Sequence, residues 1–379
     1  MKSWAIVVGI NIYPSRSGQR PLQGAVADAC DFADWVLDPQ GGAVPPERLF
    51  FWTYPWPAAL PPGLLSNYLS GNPPEWFSHD SGWQLPEQIR PPKAMEITTT
   101  IEQVGRTAYE EAFVENDEDP RRIYVFLAGH GIRAQTFDRN EETCFLAGDF
   151  FPISSNLAAG LVPCESFRKA LLNDRFNEAI LFTDCCRSEI ARLTLKAQPV
   201  SDYSSDLISP VATWGMAFAA QEGKPAYETL TPPVRGAFSS ALMQGLRTHR
   251  PGLAGELHAA QLRDFVTTNI GNFTSSDQIP NLLYRPDPDG PLIVQGHLDG
   301  GGGDPNGPTL DVSALDIGTR LILNGGDNKP VPGLVPLTVT GPELQLPPLA
   351  PGLYLIAIDD GSGRHTMFVQ PTRENVCVS

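Results

Sequence analysis

Two apolar runs end on residues able to do acyl chemistry: YVFLAGHG closes on His130-Gly131, and ILFTDCCRS carries Cys185 and Cys186. Each run has the length of a buried strand and breaks on its reactive residues. Strands stopping there would aim an imidazole and a thiol at one point. That point would lie beyond the carboxyl edge of a parallel sheet, where open α/β folds place their ligands. The 56 positions separating His130 from Cys186 leave room for a strand, a loop and a helix.

A thiolate is a strong nucleophile near neutral pH, and an adjacent imidazole can promote its ionisation and then protonate a departing amine. Lacking a side chain, Gly131 can bring its backbone N–H close to a substrate carbonyl, beside the N–H of Cys186. Cys185 is the rival nucleophile. Adjacent side chains on a strand point to opposite faces, so only one of the two cysteines can meet His130. The same period of two puts Asp184 on the face of Cys186.

The elements that must position these residues are readable from periodicity. Trp4–Ile10 reads as a first strand, and Ala25–Leu37 as a helix with Val26, Cys30, Ala33 and Leu37 on one face. Arg48–Tyr54 reads as a second strand. Residues 55–93, rich in Pro and Trp, have no period and form a long insertion. Thr99-x-x-Glu102 has the form of a capping box opening the next helix. A polar loop follows the His130 strand, then a short strand at TCFLAGDF and a helix at Ser166–Asp174. A strand at Val211–Ala220 and helices near Phe238–His249 and Leu257–Ile270 complete an alternating pattern, which predicts an α/β sheet protein. HLDGGGGDPNGP, residues 298–308 at its centre, reads as a flexible linker between a domain over 1–297 and a second over 309–379. Short β-like runs between Pro/Gly turns make that second region a small all-β sandwich.

The chain resembles the caspase-like cysteine peptidases, nearest to bacterial members, metacaspases and orthocaspases. The resemblance rests on WAIVVGINIYP with LQGAVADA, on FLAGHG, on DCCRS, and on AFAAQEGKPAYE with GAFSSALMQGL, together spanning about residues 4 to 250. It implies a mainly parallel sheet flanked by helices, Cys186 as nucleophile, His130 as general acid/base, and an oxyanion hole made by the Gly131 and Cys186 amides. It also implies an acidic pocket at Asp28 and Asp184, hence cleavage after Arg or Lys. Two positions depart from the family pattern. Arg187 stands where a His commonly follows the nucleophile, and Ala128 where a Ser often precedes the His.

By the same resemblance, 187–210 is a processing linker, with Arg192 and Lys196 as places for self-cleavage or for an upstream protease. Bacterial relatives often serve antiviral defence or regulated death. Some metacaspases need calcium, but DPDG at 287–290 lacks the remaining ligands of a calcium loop, and no cofactor or metal site is expected. Composition narrows the partners. Lys+Arg 27 against Asp+Glu 43 gives a net charge of −16, with no basic run for nucleic acid. No apolar stretch is long enough to span a membrane. Six scattered cysteines without a framework suit a reducing cytoplasm. The expectation is a cysteine endopeptidase acting on protein substrates. The alternatives are a silent caspase-like scaffold whose β-domain binds a partner, and acyl transfer to an amine on the same dyad.

Overall fold

The structure is a computed structural model. It describes the chain apart from residues 15–20, 61, 72–89, 114–118, 137–140, 152–159, 174–175, 188–195, 198–211, 252–254, 287, 295–308, 327, 332–335, 347–351, 360–364 and 371–379. Arg192, the 298–308 linker and much of the 55–93 insertion therefore lie outside the described residues. Two compact units divide the chain: Met1–Ser240 with Ile270–Pro291, and Ala241–Asn269 with Leu292–Ser379.

The first unit is built on a six-stranded sheet. Its strands are β1 (Lys2–Ile10), β2 (Leu49–Tyr54), β3 (Arg121–Ala128), β7 (Glu178–Asp184), β9 (Thr213–Phe218) and β11 (Asn281–Arg285), in spatial order β11-β9-β7-β3-β1-β2. All neighbours are parallel except β11, which runs antiparallel along the β9 edge. The central strands are apolar nearly throughout, as sheets covered on both faces require.

Strand alternation assigns each side chain to a layer. On β3, Tyr124 and Phe126 face the helix α1 (Ala25–Leu37): Phe32 stacks on Phe126 at 4.6 Å and meets Phe182 of β7 at 5.6 Å, while Trp35 meets Tyr124 edge-on at 5.5 Å. Ile123, Val125 and Leu127 face the opposite way, into a core shared with Ile97 and Val104 of the helix Ala94–Phe113 and with Phe167 and Leu171 of the helix Cys164–Leu172. The sheet is thus a middle layer between helices.

Two local expectations are corrected. The helix after the insertion starts at Ala94, not at a Thr99 cap. Glu96 accepts the Lys93 N–H at 2.9 Å, which is the capping role. The Thr98, Thr99 and Thr100 hydroxyls instead donate back to carbonyls three and four residues earlier, within the helix. The polar segment after His130 is also not merely a loop. Its start is β4 (Gly131–Thr136), joined to β5 (Glu141–Leu146), β6 (Leu161–Pro163) and β8 (Lys196–Ala197) in a second, four-stranded sheet of order β6-β5-β4-β8. Within the insertion, Leu64–Gly71 forms a short helix.

The second unit gathers helix Ala259–Asn269 with the strands β10 (Leu257–His258), β12 (Leu292–Val294), β13 (Thr309–Asp311), β14 (Arg320–Gly325), β15 (Leu337–Thr338), β16 (Glu343–Gln345), β17 (Gly352–Ile358) and β18 (His365–Gln370). A four-stranded sheet of order β15-β14-β17-β18 and the β13-β16 pair share one apolar cluster. Leu321 and Leu323 of β14 and Tyr354 and Ile356 of β17 enter it at period two. Among the described residues, no helix is long and apolar enough to cross a membrane.

Candidate active site

β3 and β7 are neighbours, and their last paired residues are Ala128 and Asp184. His130 and Cys186 each stand two residues past that shared end. The ladder continues one step beyond it, since the Gly129 N–H donates to the Asp184 carbonyl at 3.0 Å. Imidazole and thiol therefore leave the same carboxyl edge from adjacent strands at matching offsets, and both residues are partly exposed.

Gly131 is pressed against the cysteine pair. A Cβ there would lie 2.6 Å from the Cys186 carbonyl oxygen, 2.8 Å from the Cys185 Cβ, and in collision with the Cys185 sulfur. Any side chain at 131 would push the two strand ends apart. Cys185 itself points into the core, 1% exposed. Burial, with the Cys186 and Asp184 charges next, pushes its thiol well above the ordinary cysteine range. Cys186 faces a different neighbour: the Ala226 N–H donates to its sulfur at 3.4 Å, and its thiol meets the Ala226 carbonyl at 3.7 Å.

Tyr13 fastens the histidine. Its hydroxyl accepts the His130 N–H at 2.9 Å and donates to the Leu146 carbonyl at 3.1 Å, while its ring sits 5.0 Å from the imidazole. The Leu146 N–H returns a bond to the His130 carbonyl at 2.9 Å. Arg187 fastens the cysteine turn. Its guanidinium donates to the Thr143 hydroxyl at 2.7 Å and lies 4.1 Å over the Phe218 ring, and its backbone exchanges bonds with Lys224 and Gly223. Tyr13 and Ala226 fall within the stretches of family resemblance, but nothing in the sequence marks their contacts.

Asp28 and Asp184 come together on the α1 side of the sheet. Gly236 separates them: its N–H donates to Asp28 Oδ2 at 2.7 Å, and a Cβ there would collide with Asp184 Oδ2. Asp184 accepts both the backbone N–H and the hydroxyl of Ser239, at 3.0 and 2.6 Å. Burial pushes the Asp184 carboxyl up to about 6, against those two bonds and with the help of the Glu228 charge. Burial and then the Asp184 charge also raise Asp28 well above the usual carboxylate range, while Gly236 and Arg235 oppose the shift. Glu228 takes the N–H groups of Gln23 and Gly24, both at 2.6 Å, at the entrance to α1. No pattern in the sequence marks Arg235, Gly236, Ser239 or Glu228 as neighbours of these two acids. Among the described residues, no group of three or more His, Cys, Asp or Glu side chains is arranged to hold a metal ion.

Residues 2–286, which hold all of this geometry, match the caspase domain of peptidase family C14. The chain belongs to the caspase-domain family. A probable protease of a Desulfuromonadales bacterium is 29% identical over 252 residues, covering 65% of this chain and 26% of the relative. The chain thus spans about a quarter of that relative's length. Caspase-1 from Spodoptera frugiperda aligns with a TM-score of 0.42 and 14% identity, over 74% of this chain and 86% of that one. A protein from Geobacter sulfurreducens aligns with a TM-score of 0.42 and 13% identity, over 78% of this chain and 97% of that one.

Proposed function

We propose that this caspase-domain chain is a cysteine endopeptidase that hydrolyses peptide bonds after Arg or Lys through a Cys186–His130 dyad. The observation that carries the reading is the matched exit of His130 and Cys186 from neighbouring parallel strands, with Gly131 packed on the Cys186 carbonyl. In this mechanism His130 takes the thiol proton and the sulfur attacks the scissile carbonyl. The oxyanion is met by the Gly131 and Cys186 amides. His130 then gives the proton to the leaving amine as the C–N bond breaks. Water, deprotonated by the same imidazole, attacks the thioester, the C–S bond breaks to release the carboxyl product, and the imidazole returns the proton to the departing sulfur.

The preference for Arg and Lys follows from two buried carboxylates on one side of the cysteine. Hydrogen bonds between a guanidinium and such carboxylates contribute roughly 1.5–3 kcal/mol each. A neutral side chain would leave the acids buried without that partner.

A fluorogenic peptide panel with Arg, Lys, Asp and Leu at the cleavage position tests the proposal. Arg and Lys peptides are expected to be cut, and Cys186→Ala and His130→Ala to lose at least about a thousandfold in kcat/KM. Cys185→Ala is expected to retain substantial activity. Cleavage after Asp would overturn the pocket assignment, and an active Cys186→Ala would overturn the dyad.

A further inference from the structure

The hairpin from Tyr227 to Ala237 links the two halves of the site. Its base is closed by the Ala237 N–H bond to the Tyr227 carbonyl at 2.9 Å and by the Glu228–Gly236 bridge. Next to one arm, Ala226 touches the Cys186 sulfur. On the other, Gly236 and Arg235 close over Asp28. The Arg235 side chain places Nη1 3.4 Å from Asp28 Oδ1 and 2.8 Å from Asp31 Oδ2. Both contacts run through that one nitrogen, so the guanidinium is held at a corner rather than by its two-nitrogen edge.

The Arg235 backbone, by contrast, is pinned. Its N–H donates to the Thr229 hydroxyl at 3.0 Å and its carbonyl accepts the Thr229 N–H at 2.7 Å. A fixed backbone with a side chain held at one corner allows the guanidinium to leave Asp28 without disturbing the hairpin. The side chain is 20% exposed, whereas that of Asp28 is 4% exposed beneath it.

We propose that Arg235 is a resident competitor for the acidic pocket, a built-in guanidinium that an incoming basic side chain must displace from Asp28. This deepens the preceding reading and rests on Asp28 and Asp184 forming the pocket for a basic residue. Two cations cannot draw on one buried carboxylate without repelling each other. Arg235 therefore lowers the affinity of the pocket for positive groups and sharpens its demand for a ligand that fits well enough to win. Substrates able to bind elsewhere along the site would bear that cost; a free basic residue would not.

The test needs no catalysis. Benzamidine, a small amidinium, is titrated by calorimetry into the 379-residue chain carrying Cys186→Ala, alone and combined with Arg235→Gln, Arg235→Met or Arg235→Lys. Arg235→Gln and Arg235→Met are expected to bind benzamidine about tenfold more tightly than the parent, and Arg235→Lys no more than about twofold more tightly. Neutral benzamide should show no gain. Two neutral replacements keep the test open if one fails to fold. Unchanged or weaker benzamidine binding overturns the inference, as does an equal gain for benzamide or for the lysine variant, or no binding in any protein. Failure of the peptidase reading looks different: benzamidine binds and responds to Arg235, yet the peptide panel is not cut.

Discussion

At the scale of single residues, the histidine is positioned by its backbone as much as by its ring. Tyr13 holds the His130 N–H and the Leu146 carbonyl with one hydroxyl. Tyr13→Phe keeps the ring and deletes both bonds at a partly buried site. A loss of about 1–3 kcal/mol in stability is expected, with kcat down by about tenfold and KM little changed. Thermal melting and a kcat-against-KM split check this, and an unaltered kcat would remove Tyr13 from the positioning of His130. Asp184 supplies a second prediction. Its carboxyl is pushed up to about 6 by burial, so it gains a proton as pH falls through that value and the pocket loses charge. Around it stand Ser239, Glu228, Asp28 and Arg235, and none of these replaces the lost charge for an incoming cation. KM for an Arg peptide is expected to rise several-fold between pH 7 and pH 5, relative to a neutral peptide measured alongside. A constant ratio would mean that Asp184 does not contribute to recognition.

At the scale of elements, the parallel strands and α1 were legible because their apolar periods are long and uninterrupted. Strand alternation predicts Asp184 and Cys186 on one face, but β7 ends at Asp184 and Cys186 lies beyond it. Other elements resist such reading for identifiable reasons. β4 is short and half polar, and it opens at Gly131, only three residues past the end of β3 at Ala128. The Thr98–Thr100 run mimics a helix start while its hydroxyls bond back inside the helix. Arg235 meets Asp28 across 207 positions of sequence, so no local pattern could announce it.

The seam between β5 and the helix Cys164–Leu172 carries its own prediction. Glu142 accepts the Ser166 N–H and hydroxyl at 2.9 and 2.7 Å, and Glu165 accepts the Thr143 N–H at 3.1 Å. Burial, and then the Glu142 charge beside it, push Glu165 up to about 8. A carboxyl raised in the folded state stabilises the fold fully below its unfolded value of 4.5, and that contribution is lost as pH climbs through about 8. Wild-type stability is expected to fall between pH 5 and pH 8 by up to about 1.4 kcal/mol per pH unit. Glu165→Gln should flatten that slope, and equal slopes in denaturant titrations would show that the Glu165 carboxyl is not raised in the folded chain.

At the scale of the whole molecule, composition draws a boundary at the glycine-rich 298–308 stretch, but contacts group the chain differently. Ala241–Asn269 belongs to the same compact unit as Leu292–Ser379. The fastening within that unit is specific. The Asn269 side chain donates to the Gly326 carbonyl at 3.0 Å as well as to Phe265 within its own helix. Lys329 pairs with Asp264. The Phe265 and His249 rings meet at a tilt with centroids 4.9 Å apart, and a Cβ at Gly326 would stand 2.6 Å from the Phe265 ring and 3.3 Å from the His249 imidazole. Burial holds that imidazole down to about 3, so it stays neutral in this apolar seam. The strands after the linker therefore complete the packing of a helix before it. Removing them would expose Phe265 and leave Asn269 without one of its acceptors, so a chain ending at residue 297 is expected to melt lower and less cooperatively than the full protein. Limited proteolysis should then cut within 257–270, where the intact chain resists. Gly326→Val tests the same seam with the chain kept whole, since a branched side chain there must displace the Phe265 ring, at about 1–3 kcal/mol. A truncated chain that melts and digests like the full protein, together with a neutral Gly326→Val, would show that the helix and the strands are stable separately.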